Sequence, residues 1–155
     1  MDLNAHYTKL LRFCYMKTGN METAEDITQE TFLKFWESNT YKDVGKELPY
    51  LYAIARNLCA DYYRRPHPEM SYVPLEDIAD EEQDEINIDS LALKEVMKML
   101  PDDLKEAVIL RYANDYMPSE IGKIMNISRF AVNRKLKKAL HLLKSGLEEG
   151  GRNDG

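Results

Sequence analysis

The sequence predicts an all-α protein with two small helical domains joined by a flexible acidic linker. Apolar residues recur at three- and four-residue spacing in several segments, which is typical of amphipathic helices. Residues 67–90 contain nine Asp or Glu and no Lys or Arg, and such a segment repels itself and stays extended. A chain of 155 residues suits two small domains. We predict domains at 1–66 and 90–147, a linker at 67–89 and a disordered tail at 148–155.

The composition disfavours several classes of function. The net charge is −6 at pH 7, but the acidity is concentrated in the linker, so a basic helix elsewhere can still present a positive field. Cys14 and Cys59 lie in apolar stretches, and we expect buried reduced thiols. The histidines His6, His67 and His141 are too scattered for a metal site. Without a signal peptide, long apolar run or nucleophile motif, we expect a cytoplasmic protein with no enzyme activity, cofactor, metal or small-molecule substrate.

The N-terminal segment predicts two helices separated by a tight break. The first helix should end at Gly19, a residue that favours helix C-termini, and the second should begin near Asn20. The apolar positions of the second helix share one face, and its polar residues lie on another. The buried set is Ala24, Ile27, Thr31 and Phe35, and the polar set is Asp26, Gln29 and Glu30.

A catalytic alternative exists for this second helix. Glu22, Asp26 and Glu30, at spacing four, form a carboxylate row that could bind Mg²⁺ as in all-α nucleotide pyrophosphatases. That chemistry needs a second acidic helix, and the third helix offers only Asp61. We therefore favour acids that decorate the helix N-terminus, where the helix dipole stabilises them.

A third helix should open at Leu48-Pro49 and stop at Pro66. Its predicted buried stripe is Leu51, Ile54, Ala55, Leu58 and Tyr62, and its predicted outer surface is Tyr52, Arg56, Asn57, Tyr63, Arg64 and Arg65. Exposed aromatic residues interleaved with Arg are typical of surfaces on which single-stranded bases stack. Half-buried packing of the tyrosines is the alternative.

After the linker, helices are predicted to resume near Asp89 or Ser90 and again at Pro101. The apolar side of the first is Leu93, Val96, Met97 and Leu100, and that of the second is Leu104, Val108 and Tyr112.

Residues 117–143 predict a helix-turn-helix. Pro118 suits the first position of a short helix, Asn126 tolerates the left-handed conformation at its end, and Ser128 can cap the next helix. In the second helix, Val132, Leu136, Ala139, Leu140 and Leu143 fall on one face, which leaves Arg129, Asn133, Arg134, Lys137 and Lys138 pointing away. From residue 129 to residue 144 there are six Lys or Arg and no acidic residue.

This arrangement favours DNA binding over a merely solvated basic face. A short helix, a three-residue turn and a helix with Arg and Asn near its exposed N-terminal end place side chains on major-groove base edges. Arg reads guanine and Asn reads adenine, while Lys more often contacts phosphate. Phe130 could contact a thymine methyl or pack against the preceding helix, and we expect packing.

Three motifs, in matching order, resemble the bacterial sigma factors of the extracytoplasmic-function (ECF) type. AEDITQETFLKFW (24–36) is similar to the helix that binds the polymerase clamp, and LPYLYAIARNLCADYYRR (48–65) to the helix that melts DNA and reads the minus-ten element. LPDDLKEAVILRY (100–112) followed by SEIGKIMNIS (119–128) looks like the C-terminal domain. The recognition helix departs from the family at Phe130-Ala131 and Asn133-Arg134, so promoter preference is not carried over.

The resemblance implies a dissociable specificity subunit of RNA polymerase with a region 2-like and a region 4-like domain. Asp26, Gln29 and Glu30 would bind core RNA polymerase. Tyr41, Lys42, Tyr52, Arg56 and Asn57 would hold the opened minus-ten strand, with Asn57 reading a base. Ser128, Arg129, Asn133, Arg134, Lys137 and Lys138 would contact the minus-thirty-five element of promoter DNA. By analogy, an anti-sigma factor is a further partner that can hold the protein at the membrane.

The competing class is a stand-alone helix-turn-helix regulator whose N-terminal half senses a ligand or dimerises. Such proteins usually bind two half-sites as symmetric dimers. The polar face of Asp26, Gln29 and Glu30 argues against it, because a dimer would need an apolar seam there.

Overall fold

The computed structural model describes residues 3–38, 47–64, 95 and 97–153, and this part of the chain is helical with no β-strand. The predicted all-α class is confirmed. The six α-helices of the described residues are Leu3–Thr18 (α1), Met21–Glu37 (α2), Glu47–Arg64 (α3), Asp102–Val108 (α4), Pro118–Met125 (α5) and Arg129–Asn153 (α6), and a π-helical segment covers Ile109–Ala113.

The chain divides into two compact units. Unit 1 is Met1–Val73 with Lys123–Ile127, and unit 2 is Pro74–Gly122 with Ser128–Gly155. The predicted linker at 67–89 lies outside the described residues, as do Tyr41, Lys42, Arg65, Leu93 and Val96. Within the described helices, none combines the length and apolar character that crossing a membrane would require.

Helices α1, α2 and α3 of unit 1 pack around an aromatic core. Phe13 of α1 meets Tyr52 of α3 edge-on, with 5.2 Å between ring centroids, and Phe35 of α2 lies 5.7 Å from Tyr50. Burying such a side chain contributes roughly 1.5–3 kcal/mol. The hydroxyls of the buried Thr28 and Thr31 donate to the carbonyls one turn back at 2.7 Å, so the core holds no unsatisfied hydroxyl there.

The break between α1 and α2 is the predicted one. Gly19 has φ +75°, a left-handed conformation that glycine adopts without steric cost, and its N–H donates to the Tyr15 carbonyl at 2.7 Å. The Asn20 side chain then accepts from the Thr23 N–H at 2.9 Å and caps α2. This break lets α2 turn back against α1.

In unit 2, α4 leads directly into the π-helical segment. Leu104, Ala107, Ile109 and Leu110 are buried, so both elements contribute to one core. The N–H of Asn114 donates to the carbonyl of Ile109, five residues back, at 3.0 Å, which closes the wider π turn.

Tyr112 corrects the sequence prediction for this region. It was expected on the apolar side with Leu104 and Val108, but it is 51% exposed. The reason is the π-helical segment, because a turn of more than four residues shifts the register and moves Tyr112 off the buried face.

The helix-turn-helix has the predicted local geometry. The N–H of Met117 donates to the Glu120 carboxylate at 2.8 Å, which satisfies a backbone donor at the start of α5. Asn126 ends α5 with φ 61°, and the Ser128 hydroxyl accepts from the Ala131 N–H at 3.1 Å. The three-residue turn therefore sets the direction of α6.

Two predictions for the last helix were wrong. Leu140 is 44% exposed although it was placed on the buried face, because Ala139 already occupies the stripe and Leu140 lies one residue, about 100°, further round. Helix α6 also continues to Asn153, past Glu148 where a disordered tail was expected. Extending an existing helix costs far less than nucleating one, and this favours the extra turns.

Candidate nucleic-acid interface

The outer face of α6 is basic because packing fixes its inner face. Val132, Leu136, Ala139 and Leu143 are buried, at spacings of three and four. The residues predicted to contact the minus-thirty-five element, Ser128, Arg129, Asn133, Arg134, Lys137 and Lys138, are all exposed. The hydroxyl oxygen of Ser128 already accepts the capping hydrogen bond, so its hydroxyl proton is what it can offer a phosphate.

Lys135 lies on a different side of the same helix from the exposed basic residues. Its ammonium donates to the Asp103 carboxylate, a contact that joins α6 to α4. The hydrogen bond from Lys135 holds the pKa of the Asp103 carboxyl below its usual range. Because half of the Asp103 side chain is exposed, solvent screening keeps this pair weak, but it orients Lys135 away from the outer face.

Phe130 corrects the expectation that it packs against the preceding helix. It is 62% exposed, and the Arg129 guanidinium lies over its ring at 5.1 Å from the centroid. Phe130 directly follows the turn, at the second position of α6, two residues before the buried Val132. An exposed aromatic ring thus stands at the start of the basic face.

The predicted polymerase-binding residues share the solvent side of α2. Asp26, Gln29 and Glu30 are exposed, while Ala24, Ile27, Thr28, Thr31 and Phe35 are buried on the opposite side. Glu30 also lies 3.7 Å from Lys34 in an exposed pair that contributes little to stability. The three polar side chains are therefore accessible to a partner.

Sequence reasoning missed two apolar residues on this surface. Leu33 is 56% exposed and Trp36 is 50% exposed. Each lies seven residues after a polar member of the face, Asp26 and Gln29 respectively, so helical spacing puts them on the same side. That spacing was the signal available, and it marks a mixed polar and apolar surface of the kind that protein interfaces use.

The outer surface of α3 contains only part of the predicted minus-ten set. Asn57 is exposed, Arg56 is half-buried, and the small Ala53 and Ala60, also exposed, lie one turn to either side of Asn57.

Tyr52 was wrongly assigned to that surface. It is 1% exposed, among the largest fully buried side chains of the described residues. It lies three residues before Ala55 and seven before Cys59, both buried, so it belongs to their face and not to that of Asn57. Tyr52 is a core residue of unit 1.

The two cysteines lie together in the core of unit 1. Both are free and buried, as predicted. A hydrogen bond with Cys59 is the main cause that lowers the pKa of the Cys14 thiol, helped by Thr28 and by the charge of Lys17, while burial acts in the opposite direction.

No group of three or more His, Cys, Asp or Glu in the described ranges is arranged to hold a metal ion.

Comparison with known families matches both parts of the chain. The family Sigma-70 region 2 matches residues 3–67, and the family Sigma-70, region 4 matches residues 90–143. The first range includes α1 to α3, and the second includes α4, the π-helical segment, α5 and residues 129–143 of α6.

Relatives match over nearly the whole chain. The ECF RNA polymerase sigma factor SigM of Bacillus subtilis is 32% identical over 90% of this chain and 88% of its own length, and SigW of the same species is 28% identical over 91% and 84%. A solved structure of the sigma factor RpoE in complex with the anti-sigma factor NepR from Bartonella quintana has the same fold, with a TM-score of 0.69, 19% identity, and coverage of 95% of this chain and 94% of that one. This chain belongs to the ECF family of RNA polymerase sigma factors.

Proposed function

We propose that this sigma factor binds core RNA polymerase through α2, holds the melted minus-ten element on α3, and reads the minus-thirty-five element with α6. The observation that carries the proposal is the orientation of α6: its apolar stripe is buried and every residue predicted to contact DNA there is exposed. In helix-turn-helix proteins the N-terminal part of the second helix reads base edges. The family matches at 3–67 and 90–143 support two functional domains on either side of the acidic linker.

The proposed role of α3 depends on an energetic balance. Flipping a base out of the duplex costs a few kcal/mol, and a protein group that pairs with the exposed base recovers part of that cost. The exposed Asn57 amide both donates and accepts, so it can pair with a base edge. Tyr52 has no part in this site, and Tyr41 and Lys42 remain predicted members of it.

We further propose a cytoplasmic location and regulation by an anti-sigma factor. The support for such a partner is the solved structure of RpoE from Bartonella quintana, in which that sigma factor is in complex with the anti-sigma factor NepR. The experiment that tests the main proposal is run-off transcription with purified bacterial core RNA polymerase on a pool of templates with randomised promoter regions. Specific transcripts that depend on adding this protein are expected, and their absence would refute the proposal.

Changing the polar face of α2 should weaken binding to core polymerase. Asp26→Arg reverses a charge at the centre of the exposed face, and Gln29→Ala removes an amide next to it, while neither touches the buried side. We expect at least a tenfold loss of affinity from Asp26→Arg. A polymerase surface that complements the Asp26 carboxylate would repel the new arginine, and such repulsion costs more than the loss of a contact. Fluorescence-detected titration with core enzyme measures it.

The control is Glu95→Arg, which makes the same charge change at an exposed position outside α2. It should bind core enzyme nearly as well as the wild type. Circular dichroism should be the same for all three variants. Wild-type affinity in both Asp26→Arg and Gln29→Ala would remove α2 from the polymerase interface.

Removing the Asn57 amide should impair DNA melting more than initial binding. The proposed partner base becomes accessible only when the strands separate, so Asn57→Ala should reduce open complexes about five- to tenfold, the value of one hydrogen bond near 1 kcal/mol. Permanganate footprinting reports unpaired thymines, and electrophoretic mobility at low temperature reports closed complexes.

Asn4→Ala removes the same chemical group from an exposed position of α1, and it should melt promoters normally. Equal footprints from the Asn57→Ala variant and this control would show that Asn57 is solvated surface and not a base reader.

A further inference from the structure

The outer face of α6 begins with an apolar residue that is exposed to solvent. Phe130 is 62% exposed at the second position of the helix, and the rest of the face is basic or amide-bearing. Helical spacing puts Phe130 on the same side as Asn133, Arg134 and Lys137, which follow at three, four and seven residues. The aromatic ring is therefore part of the surface proposed to enter the major groove.

The chemistry of the major groove leaves one partner for such a ring. Base edges there are hydrogen-bond donors and acceptors, except for the 5-methyl group of thymine, which is the apolar feature of the groove. Phe130 has no donor or acceptor, and it lies at the end of α6 that reaches deepest in helix-turn-helix complexes.

Arg129 restricts where the ring can point. Its guanidinium lies over the Phe130 ring at 5.1 Å from the centroid, within the range of a cation–π contact. With the guanidinium in this position, Phe130 remains 62% exposed. Arg129 also keeps a positive charge next to the ring, where the phosphate backbone would neutralise it.

We infer that Phe130 is a specificity-determining residue of this sigma factor, whose ring contacts the 5-methyl group of one thymine in the upstream promoter element. The inference deepens the proposed function of α6 and rests on it. It adds an apolar contact to the set of polar base readers, Asn133 and Arg134, and it predicts that the preferred element contains a thymine whose methyl group matters.

The test removes the methyl group from DNA and the ring from protein, separately and together. Holoenzyme made from the full chain and core polymerase first selects its preferred upstream element from a randomised duplex pool. Each thymine of the selected duplex is then replaced singly by deoxyuridine, which lacks only the methyl. Affinity for every duplex is measured with wild-type protein and with Phe130→Ala.

With the wild type, one replacement should weaken binding about fourfold, the factor for one buried methyl group. With Phe130→Ala, the same replacement should have no effect, while the other positions behave as in the wild type. Phe130→Leu, which keeps an apolar side chain, should retain part of the discrimination. The control is Leu142→Ala, which truncates an exposed apolar residue about 18 Å further along the same helix and should leave the fourfold effect intact.

Two kinds of result would overturn the inference, and they have different consequences for the proposed function of α6. If the wild-type holoenzyme selects an element but no deoxyuridine replacement matters, or the sensitive position stays sensitive in Phe130→Ala, then Phe130 does not read thymine and α6 still functions as proposed. If the wild-type holoenzyme selects no upstream element, the proposed function of α6 fails and the inference falls with it.

Discussion

Replacing Tyr52 with alanine is expected to lower the free energy of unfolding of unit 1 by about 3–5 kcal/mol, the usual cost of deleting a buried aromatic side chain. Tyr52 is 1% exposed and meets Phe13 edge-on at 5.2 Å, so the change opens a cavity between α3 and α1. Urea unfolding is followed by tryptophan fluorescence, excited at a wavelength that tyrosine does not absorb. This signal reports on unit 1 specifically, because the single Trp of the chain, Trp36, lies in α2.

Two other variants separate a core role from a DNA-binding one. Tyr52→Phe keeps the ring and should cost at most about 1.5 kcal/mol, the upper value for one hydrogen bond. Tyr63→Ala truncates an exposed tyrosine of the same helix and should cost under about 1 kcal/mol. If Tyr52→Ala were no less stable than Tyr63→Ala, Tyr52 would be a surface residue, as the sequence had predicted, and not a core residue.

Arg134→Ala and Lys138→Ala should weaken DNA binding in different ways. Arg134 lies in the N-terminal half of the exposed face of α6, where side chains reach base edges, so its loss should cost about 1–3 kcal/mol against the preferred sequence and much less against others. Lys138 is one turn further on, where we expect phosphate to be nearer than base edges. Its loss should weaken all sequences alike and flatten the slope of log affinity against log salt by about 0.9.

Titration of holoenzyme against single-base variants of the upstream element, at two salt concentrations, distinguishes the two effects. Both variants leave the buried stripe of α6 unchanged, so the fold should persist. Lys98→Ala removes an exposed cation that is paired with Glu95, outside α6, and serves as the control. A uniform loss from Arg134→Ala, or a base-dependent loss from Lys138→Ala, would mean that α6 is rotated in the groove relative to the proposal.

Features with a local cause could be read from the residues themselves. Gly19 and Asn126 adopt the left-handed conformations expected at helix ends, and Asn20 and Ser128 cap the helices that follow. The polar face of α2 and the basic face of α6 also follow from local spacing, because a residue three or four positions from a buried one shares its side of the helix.

Errors arose where a residue's surroundings depended on a second element. Tyr52 was placed outside because a tyrosine beside Arg and Asn resembles a base-stacking surface, yet the ring of Phe13, 39 positions earlier in the chain, covers it. Phe130 was placed inside, but the turn that precedes it leaves the ring exposed beneath Arg129. Tyr112 left its predicted face because of a π-helical turn that periodicity at 3.6 residues does not anticipate.

The sequence alone determined the all-α class, the end of α1, the start of α2, the helix-turn-helix and the family, because these depend on backbone preferences and residue spacing that act over a few positions. Tertiary structure decided which aromatic residues are core and which are surface. Burial of a large ring depends on whether another helix offers it an apolar partner, and that partner is set by packing between segments far apart in the chain. For this reason Tyr52 is assigned to stability, and Phe130 to the proposed reading of DNA, only once the helices are in place.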